Sequence, residues 1–320
     1  MHGWLVIDKP VGLGSTDIVS KVKRALREGG YPKLKVGHGG TLDPLASGVL
    51  PVALGEATKL AGRMLDSDKV YAFTIRLGEE TDTLDAEGVV VATSDVRPTW
   101  AQIEAVLPRF TGEIEQVPPA YSALKVDGRR AYDLARAGQE VELSSRRVTV
   151  HSLELRHPDL VSGSSPPPAQ GSPDWTLKQV QGDGEGMTEA ILEARVSKGT
   201  YIRSLARDIA RALETVGHVT MLRRLKAGPF TLESAISLDK MGEAAKARQL
   251  EQALLPLAAG LDDIPALPVT PDQAGLLRQG RKLAGIAAKP GLHLATESSV
   301  PVALVELSEG DLRVVRGFNI

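Results

Sequence analysis

Apolar residues in this 320-residue chain switch repeatedly between two spacings, every second residue and every third or fourth. That alternation limits what the chain can fold into. Over residues 69–77, Tyr71, Phe73 and Ile75 share one face, which predicts a strand. After Ser15 or Thr16, either of which can cap a helix, Ile18, Val19, Val22, Ala25 and Leu26 keep helical spacing until Gly29-Gly30 stops them. Further strands are expected at residues 3–8, 121–126, 147–155, 190–196, 219–225 and 230–232, and a strand or buried turn at 49–54. Further helices are expected at 56–64, 99–107, 130–137 and 201–215, the last with Leu205, Ile209 and Leu213 on one stripe. Strands and helices do not alternate in strict β-α-β order, so the pattern predicts an α+β fold with a mixed, mostly antiparallel sheet rather than a doubly wound one.

At 42% hydrophobic and 24% charged residues the composition is that of an ordinary globular protein, and 320 residues suggest about two domains. No run approaches the roughly 18 apolar residues that cross a bilayer. The first ten residues show no charged region followed by a long apolar one, so no secretory leader is expected and a cytoplasmic protein is. Cysteine is absent, which excludes disulfides, thiolate metal sites and cysteine nucleophiles together.

Two segments stand apart. Residues 157–188 carry Ser-Gly-Ser-Ser-Pro-Pro-Pro and Gln-Gly-Asp-Gly-Glu-Gly, too little apolar surface to offset the entropy of ordering, and a disordered surface insertion is expected there. Pro265, Pro268 and Pro271 mark a linker, after which a short helix (272–280) and a small β unit (302–307 and 312–316) are expected. The expected domains are therefore 1–260 and 261–320.

Asp43 lies in the run Gly37-His38-Gly39-Gly40-Thr41-Leu42-Asp43-Pro44-Leu45-Ala46-Ser47-Gly48-Val49-Leu50. Glycine permits close backbone approach or positive φ, and Pro44 holds the residue before it extended. On this segment alone, an aspartate in a glycine-rich turn is more often a turn former or helix cap than a functional carboxylate. The run lacks the Gly-Lys-Ser/Thr ending of a phosphate-cradling loop.

The same run, continuing into Gly55-Glu56-Ala57-Thr58-Lys59, resembles the catalytic motif of the TruB family, tRNA pseudouridine-55 synthases of the bacterial stand-alone type. Four more segments resemble the family in the same order. They are Leu5-Val6-Ile7-Asp8-Lys9-Pro10 with Gly12 and Ser15; Lys69-Val70-Tyr71 through Arg76-Leu77-Gly78 with Thr81-Asp82-Thr83 and Asp85; Pro118-Pro119-Ala120-Tyr121-Ser122-Ala123-Leu124-Lys125 with Gly128-Arg129-Arg130-Ala131-Tyr132; and Ser197-Lys198-Gly199-Thr200-Tyr201-Ile202-Arg203-Ser204-Leu205 with His218-Val219 and Leu222-Arg223-Arg224-Leu225. The resemblance covers about residues 3–235. It departs from the family at Gly39 and Ser47, where threonine is usual, and at Gly14, where a hydroxyl residue is common. The tail resembles, more weakly, the small RNA-binding PUA module.

The resemblance implies an isomerase that breaks the N-glycosidic bond of one tRNA uridine, rotates the base and rejoins it through carbon. Such a reaction involves no redox change and no external group, so no cofactor and no metal is expected. Asp43 is implied as the nucleophile, with attack on the base ring and attack on the anomeric carbon both open. Arg203 resembles the arginine that pairs with that aspartate; as a residue of a basic helix it also suits a phosphate. Tyr71 resembles the active-site tyrosine, suited to stacking on the base and to proton transfer. His38, Lys9, Tyr201 and Leu222 are implied in substrate binding: His38 near the flipped base, Lys9 at the pocket floor or on a phosphate, Tyr201 and Leu222 as walls. The target uridine must leave its stack, at a cost of a few kcal/mol.

The implied partner is the tRNA T stem-loop, with no membrane partner, and a monomer is expected. A net charge of -2 runs against RNA binding, but it hides two basic stretches. One holds Lys21, Lys23, Arg24, Arg27, Lys33 and Lys35; the other Lys198, Arg203, Arg207, Arg211, Arg223, Arg224 and Lys226. Two other readings are a tRNA-binding folding chaperone without turnover and an RNA-guided synthase subunit. The intact Asp43, Tyr71 and Arg203 argue against the first, and the short tail against the second.

Overall fold

The structure, a computed structural model, describes residues 1–122, 124–126, 128–137, 139, 143–156 and 186–320. The chain forms two compact units: Met1–Pro44, Gly48–Ser67 and Lys226–Ile320 make the first, Leu45–Ser47 and Asp68–Leu225 the second. The α+β class expected from the spacing is borne out, with antiparallel strand pairs predominating.

In the first unit, strand Gly3–Lys9 pairs antiparallel with Ala46–Leu54 on one side and Leu255–Pro256 on the other. Val36–His38 adds to the far side of Ala46–Leu54. Every residue from Trp4 to Ile7 is buried, as expected of a strand covered on both faces. Trp4 anchors the core. Its ring lies 5.2 Å from that of Phe230, and its Nε1 donates to the Leu257 carbonyl at 3.1 Å. Leu257 and Leu261 join this cluster, as do Leu294, Leu304 and Phe318 from the tail.

Residues 261–320 lie wholly within this unit, where they build a sheet of their own. Ala266–Pro268 runs parallel to Gly291–Glu297, and Val300–Ser308 and Asp311–Gly317 follow antiparallel. The helix expected near 272–280 is Pro271–Arg278, capped by the Thr270 hydroxyl, which accepts from Gln273 N–H.

In the second unit the strand order is Gly217–Ala227, Lys69–Leu77, Glu189–Val196, Arg146–Leu155, Gly112–Gln116. Helix Ile202–Ala212 buries Ile202, Leu205, Ala206, Ile209 and Ala210, one face at helical spacing. The fit against the sheet is close: a Cβ on Gly217 would stand 3.0 Å from both the Ala210 Cβ and the Ile75 Cγ2. The helix stops three residues before the expected 215, because Glu214 adopts φ 57° and Thr215 N–H turns back to the Ala210 carbonyl.

Three local expectations are corrected. The first helix is Ser15–Glu28, and its N-cap is Gly14, not Ser15 or Thr16. Gly14 N–H donates to the Asp17 carboxylate at 2.9 Å, and the Ser15 hydroxyl is used elsewhere. The strand expected at 121–126 exists only as Lys125–Val126, paired with Arg129–Arg130. The Tyr121 and Ser122 carbonyls are already bonded, one to the Arg203 side chain and the other to Tyr132 N–H, so no ladder forms there. The segment expected to be helical at 56–64 is a tighter 3₁₀ turn, Gly55–Leu60, leading into helix Ala61–Asp66. The insertion expected at 157–188 lies, up to residue 185, outside the described residues. Beyond it, Met187 N–H donates to the Pro98 carbonyl, and the Thr188 carbonyl accepts from Leu77 N–H.

Candidate active site

The residues singled out from the sequence fall in both units. Lys9, His38 and Asp43 belong to the first; Tyr71, Tyr201, Arg203 and Leu222 belong to the second.

In the first unit Asp43 is half-buried and sits between two anchored neighbours. On one side, the Ser15 hydroxyl accepts Leu42 N–H at 2.7 Å and donates to the Leu42 carbonyl at 3.3 Å. On the other, the Pro44 carbonyl accepts Gly12 N–H at 2.8 Å and the Lys9 ammonium at 3.5 Å. Lys9 is fully buried at the end of the first strand and also donates to the carbonyls of Pro10 and Leu13. A buried ammonium is costly unless it is hydrogen-bonded, and here carbonyls of its own loop and of Pro44 meet it. The segment that resembles the family's N-terminal motif is thus the cradle of the Asp43 loop. His38 ends strand Val36–His38, in register with Val52.

The loop's glycines serve for different reasons. Gly40 has φ 143°, in the region where a side chain is strained. Gly39 is needed for space: a Cβ there would stand 2.6 Å from the Met64 Cβ and 3.5 Å from the Trp4 ring. A side chain at this position would meet Met64. Gly39→Thr is therefore expected to lower stability by about 1–3 kcal/mol. The cost should shrink when Met64 is also replaced by glycine, which lacks the Cβ that the new side chain would meet, a coupling that thermal unfolding of the two single variants and the double variant would measure.

In the second unit Arg203 stands in the first turn of helix Ile202–Ala212 with its side chain 7% exposed. Nη1 meets the Asp85 Oδ2 at 3.1 Å and donates to the Thr83 carbonyl at 3.0 Å, and Nη2 donates to the Tyr121 carbonyl at 3.0 Å. Asp85 is itself buried. Its Oδ1 accepts the Thr83 hydroxyl at 2.6 Å and Glu87 N–H at 3.1 Å, while its carbonyl accepts the Thr81 hydroxyl at 2.7 Å. A guanidinium bonded at several points cannot swing, so Asp85 and two carbonyls set where Arg203 aims. Asp85 lies with Thr81 and Thr83 in the motif of the tyrosine-bearing strand, and the resemblance implies no role for it. The available signal was a carboxylate with threonines two and four residues before it.

Tyr71 lies on strand Lys69–Leu77 opposite Ala194, half-buried, while Phe73 and Ile75 on its face are buried. Tyr201 immediately precedes the Arg203 helix, and the Arg146 guanidinium lies 4.7 Å from its ring centroid. Leu222 is buried in strand Gly217–Ala227. Ser47, another departure from the family pattern, accepts a hydrogen bond from Arg223 at 3.3 Å.

The two basic stretches differ. Lys21, Lys23, Arg24, Arg27, Lys33 and Lys35 are all exposed. The second stretch is largely committed within the protein: Arg203 and Arg224 are buried, Arg207 pairs with Asp208 and Arg211 with Glu80. Only Lys198, Arg211 and Lys226 of that stretch are exposed. Among the described residues no helix is long and apolar enough to cross a membrane, and no group of three His, Asp or Glu could hold a metal ion.

Comparison with known proteins gives a consistent result. The N-terminal domain of the TruB family pseudouridylate synthases matches residues 24–162, and the tRNA pseudouridylate synthase B C-terminal domain matches residues 203–262. A protein of Novosphingobium aromaticivorans named tRNA pseudouridine synthase B is 61% identical over 100% of this chain and 98% of its own length. A protein of the same name from Zymomonas mobilis is 58% identical over 100% of this chain and 96% of its own. Among solved structures, a chain of a Cbf5-Nop10-Gar1 complex matches 99% of this chain and 84% of its own length, with a TM-score of 0.69 and 26% identity.

Proposed function

The chain belongs to the TruB family of pseudouridylate synthases, and on that premise we propose that it isomerises a uridine of the tRNA T loop, at position 55, to pseudouridine. The observation that carries this reading is the Asp43 loop. A carboxylate stands between two residues whose main chain is held by Ser15, Gly12 and Lys9, and this loop bears the family's motif. A nucleophile fixed in this way loses little entropy on reaching its target.

Asp43 acts as the nucleophile in this reading, and Arg203 is the arginine that the family resemblance pairs with it. Tyr71 stacks on the target base and exchanges protons with it. Lys9 braces the pocket floor from within, His38 enters beside the flipped base, and Tyr201 and Leu222 line the walls. The isomerisation leaves the composition of the substrate unchanged: the bond from the sugar to nitrogen breaks, a bond to carbon forms, that carbon gives up its proton, and the freed nitrogen takes one up. Residues 261–320 serve as a small PUA-like RNA-binding module, and the enzyme works as a single chain without a guide RNA.

The test is to incubate the purified protein with an unmodified tRNA transcript and to map pseudouridine. One new pseudouridine in the T loop is expected, with no other macromolecule added. No product, or product only when a guide RNA or partner protein is supplied, would overturn the reading. The exposed basic residues between Lys21 and Lys35 carry a second expectation. If they neutralise as few as two phosphates, tRNA affinity should fall about ten-fold between 50 and 200 mM salt. Filter binding across that range checks it, and a flat response would exclude phosphate contact by this face.

A further inference from the structure

Gln116 ends strand Gly112–Gln116 and is 1% exposed. A side-chain amide buried to that extent needs a partner at each end. It finds both on one residue. Its Oε1 accepts Tyr201 N–H at 2.8 Å, and its Nε2 donates to the Tyr201 carbonyl at 3.1 Å. Only one orientation of the amide satisfies both bonds, since the flipped group would set N–H against N–H and oxygen against oxygen.

Tyr201 is the N-cap of helix Ile202–Ala212, with φ -97° and ψ 114°, and its side chain makes no capping bond. The Gln116 amide therefore fixes the peptide planes on both sides of the residue where the chain turns into the helix. Neighbouring contacts reinforce that point. The Val117 carbonyl accepts the Ser204 hydroxyl at 2.8 Å and Arg207 Nη2 at 3.2 Å. Arg146, the cross-strand partner of Gln116, covers the Tyr201 ring and donates to the Gly199 carbonyl. One strand end thus laces together the first turn that carries Arg203.

We propose that Gln116 is a positioning residue for the isomerisation: its amide clamps the Tyr201 backbone and so sets the aim of Tyr201 and Arg203. The proposal rests on the reading that these two residues serve the reaction. It concerns how they are held, not whether they act.

Gln116→Glu tests it, because the replacement carries its own switch. A carboxylate still accepts Tyr201 N–H but turns a negative oxygen on the Tyr201 carbonyl; the protonated acid makes both bonds again. The single-turnover rate of Q116E at pH 8 is expected to be about ten-fold or more below that of the natural chain. The deficit should narrow as pH falls toward 5, with the Kd for tRNA within about three-fold throughout. Gln116→Met, which makes neither bond, should be slow with no such pH dependence. A Q116E profile that parallels the natural chain at every pH would overturn the clamp, as would a deficit that pH does not change.

Arg203→Ala separates the two levels. If R203A turned over at the natural rate, the reading of the site itself would fail. If R203A were inactive while Q116E and Q116M matched the natural chain, the clamp alone would fail.

Discussion

Asp43→Asn should bind tRNA with a Kd within about three-fold of the natural chain and form pseudouridine more slowly by about ten-thousand-fold or more, since removing the nucleophile of a serine protease costs about a million-fold. The expectation of intact binding comes from how the loop is held. The Ser15 bonds to Leu42 and the Gly12 and Lys9 bonds to Pro44 all go to main-chain atoms and do not involve the Asp43 side chain. Asparagine has nearly the shape of aspartate, so the loop keeps its path while the charge and the nucleophilic oxygen are lost. Single-turnover assays at saturating enzyme, with filter binding alongside, separate the two effects. A D43N rate within ten-fold of the natural one would remove Asp43 from the chemistry. A large loss of affinity with little loss of rate would recast it as a binding residue.

How much of this could be read from the sequence depends on the distance over which each feature is decided. The strand Lys69–Leu77 and the first helix were legible because the period of their apolar residues is local, and one buried face enforces it. The helix cap was misread because Ser15, a good cap by type, is drawn to Leu42, 27 residues away. The strand expected at 121–126 was largely lost for a similar reason: the Tyr121 carbonyl is taken by Arg203, 82 residues on. Gly39 could be read as a loop glycine but not as one required for space, because the group that fills the space is Met64. The Asp43 carboxylate could not be separated from a turn aspartate by its own loop. Resemblance to a known motif, in order with four others, is what proposes it as the nucleophile, and the anchors on either side show how its loop is held. Of the residues that hold others in place, Gln116 had no signal of its own and Asp85 only the threonines two and four residues before it, since a buried amide or carboxylate looks like any other until its partners are known.

Asp85→Asn is expected to reduce the isomerisation rate on the order of a hundred-fold and to lower stability by about 3 kcal/mol. Both numbers follow from what the carboxylate touches. Its Oδ2 faces Arg203 Nη1 at 3.1 Å, with both side chains almost wholly buried. Removing the charge from one member of a buried ion pair leaves the other poorly compensated, which typically costs 3–5 kcal/mol. Asparagine keeps an oxygen for the Thr83 hydroxyl and Glu87 N–H, so the lower end of that range applies. The effect on rate is one of aim: a reacting group displaced by about 1 Å can cost a hundred-fold, and Asp85 is among the groups that fix the Arg203 guanidinium, with the Thr83 and Tyr121 carbonyls. Asp82, three residues earlier, is a fair control. It is exposed, accepting Val89 N–H at 2.9 Å and the Tyr121 hydroxyl at 3.3 Å. Asp82→Asn should stay within about three-fold of the natural rate, as expected for a surface substitution costing under 1 kcal/mol. Assays run well below the unfolding midpoint of each variant keep the loss of rate apart from the loss of fold. If D85N were destabilised as expected but turned over like the natural chain, Arg203 would be a structural arginine, and its place in the reaction would have to be given up.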